Sequence, residues 1–331
     1  MNQNQFEHTY RKQWDQFQQL LEILEKKERE AGKPEVPLSD FPQRYRQVCN
    51  HYGLAQTRHY SPALVDMLHG LVLRGHRQLY REKTGLLWQL VHFLVRDFPR
   101  TVRQHGCAFW LAFLLFYGPA VAIGTATYFD SVLIYSLMGE DEVTSMETMY
   151  NPNSDKVGRS LKRSSETNFS MFGYYILNNI SIGFRTFAGG IVFGVGAVFL
   201  LLFNGLMIGG VAGHLSHAPY SLTFWQFVLG HGAFELTAIV ISGAAGLVIG
   251  YSILRPGPYR RLDSLRLKAP TALRLVMGAA LMLVCAAFIE AFWSPVVLPP
   301  SVKFSVAGVN WTLVTLYLLL MGRNSRNKNE S

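Results

Sequence analysis

The sequence predicts an all-α membrane protein: a polytopic bundle of transmembrane helices preceded by a small cytosolic helical domain. Three observations lead there. Residues 1–106 are polar and charged, whereas 107–322 hold several long runs with almost no charge. Those runs are apolar all round, as lipid-exposed spans are, and lack the polar face of a soluble core helix. The run 172–213 is 42 residues of mostly apolar and glycine sequence, too long for one crossing, which takes about 20 residues.

The first domain is read as four helices. One runs over 4–31 with Phe6, Trp14, Phe17, Leu21 and Leu24 on one side, stopped by the Gly-Lys-Pro-Glu-Val-Pro segment at 32–37. A second runs from Phe41 to Thr57. A third starts at Ser61-Pro62, a hydroxyl cap before a proline at the first helical position. Its stripe of Leu64, Leu68, Leu71 and Leu79 lies opposite Arg74, Arg77 and Arg81. A fourth amphipathic helix, ending near 106, leads to the membrane along the inner leaflet. Of the 10 histidines, 7 lie in this region without ligand spacing and are read as solvated helix surface.

Within 107–322 the first span is Cys107 to Phe129, and 130–171 is an extracytoplasmic loop. Later apolar runs cover 224–254, 271–293 and 306–322, and a basic tail, 323–331, closes the chain. With no cleavable leader in view, the first run is expected to act as an uncleaved anchor. Charge decides the number of crossings. Residues 1–106 carry 16 basic against 11 acidic residues, 130–171 carry 4 against 7, and 253–271 carry 5 against 1. With the N-terminus in the cytoplasm, the 253–271 segment joins it there only if 172–213 crosses twice, turning near Gly189-Gly190. Six spans are therefore favoured, with five as the alternative. The formal charge of +9 is assigned to anionic headgroups rather than to nucleic acid.

Ionisable and amide groups inside a span are costly, about 2.5 to 3.5 kcal/mol for a charge at mid-membrane. Asn178, Asn179, Arg185, Asn204, His231, Glu235 and Glu290 are of this kind and are expected to face one another or a wet cavity. Asn178 and Arg185 share a face at a spacing of seven; His231 and Glu235 do so at i,i+4. Arg185 has the alternative of reaching the inner headgroups. The cluster is read as structural, with proton or ion handling as the alternative. A zinc site built from His214, His217, His231 and Glu235 is the disfavoured reading, since the sequence has no His-Glu-x-x-His pattern. No metal and no cofactor are expected.

Gly190, Gly194, Gly205, Gly209, Gly213, Gly246 and Gly250 form small-xxx-small pairs that permit close helix contact. Cys49, Cys107 and Cys285 are far apart and suggest neither a disulfide framework nor a structural metal. Walker A, Gly-x-Ser-x-Gly and dinucleotide fingerprints are absent, so no enzymatic activity is expected.

The blocks Asn-Asn-Ile-Ser-Ile-Gly-Phe-Arg-Thr-Phe-Ala-Gly-Gly (178–190), Leu-Leu-Phe-Asn-Gly-Leu-Met-Ile-Gly-Gly (201–210), 229–247 around His231 and Glu235, and Ala-Ala-Phe-Ile-Glu-Ala-Phe-Trp-Ser-Pro (286–295) occur in that order. Together they resemble the stage II sporulation protein M family of integral membrane proteins. Residues 44–80 look like the helical extension of members from non-sporulating Gram-negative bacteria. The resemblance implies an anchor and recruiter in an envelope complex that remodels peptidoglycan, cutting being done by partner proteins. It assigns no catalytic role to the matching residues. About 100 extra N-terminal residues and a further span at the end depart from the namesake, so its sporulation role is not carried over. The expected protein is thus a non-catalytic scaffold of the bacterial inner membrane. Its expected partners are lipid, envelope proteins, a cytosolic AAA+ ATPase and further copies of itself; the alternative is a transporter or channel component using Arg185, His231, Glu235 and Glu290.

Overall fold

The structure is a computed structural model that describes residues 1–29, 40–79, 86–153 and 165–323. All of its regular elements are helical among the described residues, in agreement with the expected class. It divides into two compact units, Met1–Trp88 and Gln89–Ser331. The division falls earlier than residue 106, because the segment just before the first span belongs to the membrane unit. The stop at 32–37, Arg81, and the tail charges Arg326 and Lys328 lie outside the described residues.

The first unit contains α1 (Gln3–Arg29), α2 (Phe41–Thr57) and α3 (Pro62–Leu79). The apolar stripe of α1 supplies Phe6, Trp14, Phe17 and Leu21, all fully buried against Leu64, Leu68 and Leu71 of α3 and Phe41 and Val48 of α2. An aromatic core of this kind buries a large area per residue, which suits a unit this small. Gly75 lets Tyr45 and Phe17 close over α3. Arg74 grips Glu25 with two hydrogen bonds of 2.9 Å each, tying α3 to α1. The Ser61 hydroxyl accepts from Gln3 at 2.8 Å, binding the start of α3 to α1 as well.

The division falls within α4 (Leu86–His92), which runs through a π turn at Phe93–Asp97 into α5 (Phe98–Gln104). Leu87 and Trp88 are widely exposed, whereas Phe98 and Val102 are buried in the membrane unit's core. The amphipathic helix of the sequence is therefore an apolar-faced lead followed by a short docked helix.

Five described helices are long and apolar enough to cross a membrane: α6 (Gly106–Phe129), α9 (Val195–Leu215), α10 (Ser221–Leu254), α11 (Arg261–Phe288) with its π-turn extension to Trp293, and α12 (Pro300–Leu320). Between α6 and α9 lie a 3-10 turn at Ser131–Ser136, α7 (Glu140–Tyr150) and α8 (Ser165–Ala188). The first and third spans form one seam. Gly205, Gly209 and Gly213 of α9 rest on the backbones of Phe116, Ala120 and Gly124 of α6, so that a Cβ at any of the three would strike the opposing chain. The Thr127 hydroxyl donates to the Gly210 carbonyl at 3.1 Å across the same seam.

Each residue of this seam meets a partner later in α6 as one moves later in α9, so the two helices run parallel. The chain must then recross the same thickness between them, and α8 is the element that does so. Its Tyr175 packs with Ala287 and Ala291, its Gly183 faces Ser242 and Leu283, and just past its end Gly190 rests on Gly246. Its 24 residues span about 36 Å, enough for a crossing. Its amides and arginine make it less apolar than the other five. The 42-residue run thus folds back on itself: the turn starts at Gly189, and Gly194 closes it with φ of +83°, a conformation that favours glycine.

Helix α10 is the axis of the bundle. It is buried without a break from Ala238 to Gly246, and α6, α8, α9, α11 and α12 all pack on it. Its 34 residues span about 51 Å, more than the ~30 Å hydrocarbon thickness. One end therefore projects into the headgroup layer or beyond. The carbonyls at the end of α12 are taken by the Arg103 guanidinium, which reaches Leu318 and Met321, as a helix C-terminus requires.

Candidate functional site

The buried polar groups of the bundle gather where the first half of α10 meets the end of α11 and the start of α12. Residues His231 and Glu235 stack one turn apart on α10, with Nε2 and Oε2 3.7 Å apart. Glu290 comes from the π turn after α11, and one ligand atom from each of the three lies within 4.8 Å of the others. The extra residue of a π turn re-aims side chains, and such turns concentrate at functional sites. Here the wide turn is closed by the Ser294 amide donating to the Ile289 carbonyl at 2.8 Å.

Neighbouring groups complete the site. The His231 Nδ1 meets the Ser294 hydroxyl at 3.0 Å. Lys303, only 4% exposed, donates to the carbonyls of Trp293 and Ser294 at 3.0 and 2.8 Å and lies over the Trp293 ring. The Asn310 amide donates to the Gly230 carbonyl at 2.8 Å, a carbonyl in the turn just before His231. Tyr150, at the end of α7, lays its ring against Phe224 and Phe227. Burial, with Glu290, Tyr175 and Glu235 nearby, pushes the Tyr150 hydroxyl well above its ordinary pKa. It is a neutral phenol at the edge of two carboxylates.

The structure separates the seven polar residues of the sequence. It unites His231, Glu235 and Glu290. Asn179 is buried with its amide nitrogen lacking a partner, on the α8 face between Tyr175 and Gly183 that packs on α11 and α10. Asn178 and Arg185 share a face, as expected, but that face is exposed on the outside of the bundle. Asn204 turns back on its own helix, donating to the Leu200 carbonyl at 2.7 Å. The other two histidines are engaged elsewhere: His214 meets Glu147 at 2.8 Å, and His217 stacks on Tyr128 and bonds its carbonyl. The grouping of His214 and His217 with His231 and Glu235 is therefore not assembled.

Sequence reasoning missed Ser294, Lys303, Asn310, Tyr150 and Tyr175. Lys303 is legible as a lone charge beside an apolar run, but hydropathy starts that run only at Val306, whereas α12 begins at Pro300 and includes the lysine. Tyr150 carries no signal beyond its place next to the Asn-Pro-Asn turn.

A family model described as Stage II sporulation protein M matches residues 108–295. The chain belongs to this family. The match includes His231, Glu235, Glu290 and Ser294, and stops short of α12, so Lys303 and Asn310 close the site from outside the matched segment. A separate domain of unknown function matches residues 4–81, so the N-terminal extension is not a specifically Gram-negative one. Among curated proteins, an uncharacterized protein of the archaeon Methanocaldococcus jannaschii is 33% identical over 129 residues, covering 38% of this chain and 71% of the relative. No solved structure matches.

Proposed function

We propose that this stage II sporulation protein M family member is a membrane-anchored recruiter that holds partner proteins in an envelope complex of the bacterial inner membrane. The observation that carries this reading is the pairing of a membrane bundle locked by backbone-level glycine seams with an independent helical unit that has its own aromatic core. An anchor needs the first, and a docking module needs the second. The charge asymmetry of the loops supports a cytoplasmic N-terminal unit, for which an AAA+ ATPase is the expected partner class. Peptidoglycan remodelling is the activity this recruitment would serve, with the cutting done by others.

Cross-linking and mass spectrometry from native membranes tests the reading. A stoichiometric partner cross-linked to residues 1–79, and lost when that segment is deleted while the bundle remains in the membrane, supports it. Recovery of a monomer with no reproducible cross-linked partner sinks it.

A second reading, transport of a proton or ion, draws on the buried His231–Glu235–Glu290 group. Arg185 no longer belongs to it, being exposed. Flux in proteoliposomes that Glu235→Gln abolishes would favour this reading over recruitment alone.

A further inference from the structure

We propose that His231, Glu235 and Glu290 form a binding site for a divalent transition-metal ion of the zinc or manganese class. The inference goes beyond the recruiting role and does not depend on it.

The donor set is the first reason. One imidazole nitrogen and two carboxylate oxygens are a mixed set that suits zinc, manganese or ferrous iron. Calcium and magnesium prefer more numerous, all-oxygen ligands. A three-residue set with a position left open is also the pattern of catalytic rather than structural metal sites.

Geometry is the second. Ligands about 2.0–2.1 Å from a tetrahedral metal lie about 3.4 Å from one another. The His231 and Glu235 atoms are already 3.7 Å apart, and all three ligand atoms fit within 4.8 Å. Closing the remaining gap is the adjustment a bound ion would ask of the side chains. Glu235 comes from α10 and Glu290 from the π turn that continues α11, and α10 and α11 are packed closely on each other.

The third reason is the support behind the histidine. With Nδ1 hydrogen-bonded to Ser294 at 3.0 Å, Nε2 is the nitrogen turned to Glu235. Ligating histidines are held in this way, the second ring nitrogen fixing tautomer and ring plane. Lys303 in turn holds the carbonyls of Trp293 and Ser294, so the supporting hydroxyl is itself fixed in place.

Lys303 is also the rival cation. If its ammonium alone balances the two carboxylates, no metal is needed, and the experiment must separate the two cases. The full chain, freed of any affinity tag, is stripped with a chelator in mild detergent. It is then loaded with Zn²⁺ or Mn²⁺, desalted, and assayed for metal by mass spectrometry. The wild type should retain about one ion per chain, and Co²⁺ loading should give a visible ligand-field band. Glu290→Gln and His231→Gln should each lower affinity by at least the ~10–100-fold that loss of a supporting group costs. The double variant His214→Ala/His217→Ala, which removes the two histidines near the end of α9, should retain the ion. If a ligand variant fails to fold, Ser294→Ala takes its place, with a loss of about tenfold expected. Three results would overturn the proposal: no ion retained by the wild type at saturating metal, unchanged affinity in a folded Glu290→Gln or Ser294→Ala protein, or loss of the ion in the His214→Ala/His217→Ala variant.

Discussion

Gly190 rests directly on the backbone of Gly246, the turn between α8 and α9 meeting the central helix with no side chain between them. A methyl group at 190 has nowhere to go, because the opposing atoms are backbone and cannot rotate aside. Gly190→Ala should therefore cost at least the ~1–3 kcal/mol usual for overpacking. Gly308→Ala, where nothing lies within 4 Å of an added Cβ, should be neutral or slightly stabilising through helix propensity. Thermal unfolding of the two variants in one detergent checks this, and equal melting temperatures would contradict it.

The Trp14 indole donates to the His51 Nδ1 at 3.0 Å inside the N-terminal unit. Burial pushes His51 below its ordinary pKa of 6.5, so the folded unit holds the imidazole neutral. The unfolded chain then binds the extra proton as pH falls, and stability that is full above about pH 6.5 is lost below it. Melting of the N-terminal unit, followed by protease cleavage within 1–79 on heating, should start at a lower temperature at pH 5 than at pH 7.5. The variant His51→Gln keeps an acceptor for Trp14 without a titrating group, and should remove most of that difference.

Helix α7 is latched to the bundle by Glu147 on His214 at 2.8 Å, both largely shielded from solvent, and by the Thr223 hydroxyl on the Tyr150 carbonyl. Hydrogen bonds to charged groups contribute about 1.5–3 kcal/mol. Glu147→Ala should loosen α7 and speed cleavage near Asn151 by an added protease, with little effect on melting of the whole chain. Faster backbone exchange confined to 131–150 would locate the change; uniform protection in the variant would refute the latch.

Parallel packing of α6 and α9 requires α8 to recross the bundle. Single cysteines at Tyr135 and Tyr259, both exposed, introduced after removal of Cys49, Cys107 and Cys285, should label from opposite faces of the membrane. Labelling of both from one face would return the chain to five crossings.

Much of the fold could be read from the residues because its causes are local. Runs that are apolar all round, the stripe from Phe6 to Leu24, and the glycine pair at 189–190 each act within one or two helices. The site was harder, because side chains on different helices meet only after packing. His231 and Glu235 were paired by their spacing alone, but Glu290 joined them through a π turn that periodicity does not reveal. Asn178 and Arg185 were placed on one face correctly, yet nothing in the sequence told which face of α8 would be turned inward. The partners of the glycines, such as Phe116 for Gly205, were equally invisible, since any small residue on a neighbouring span would have served.

One hydrogen bond in the seam, from Thr127 to Gly210, has a role that the glycines cannot fill. A repeat of small residues every four positions reads almost the same after a slip of one step. Moved by four residues, about 6 Å, Gly205 and Gly213 would face Ala112 and Ala120, which are also small. Such a stripe is a ruler without numerals. The Thr127 hydroxyl and the Gly210 carbonyl supply the mark that sets the count, and Thr127→Val, nearly the same in shape, would leave the contact surface intact while erasing it.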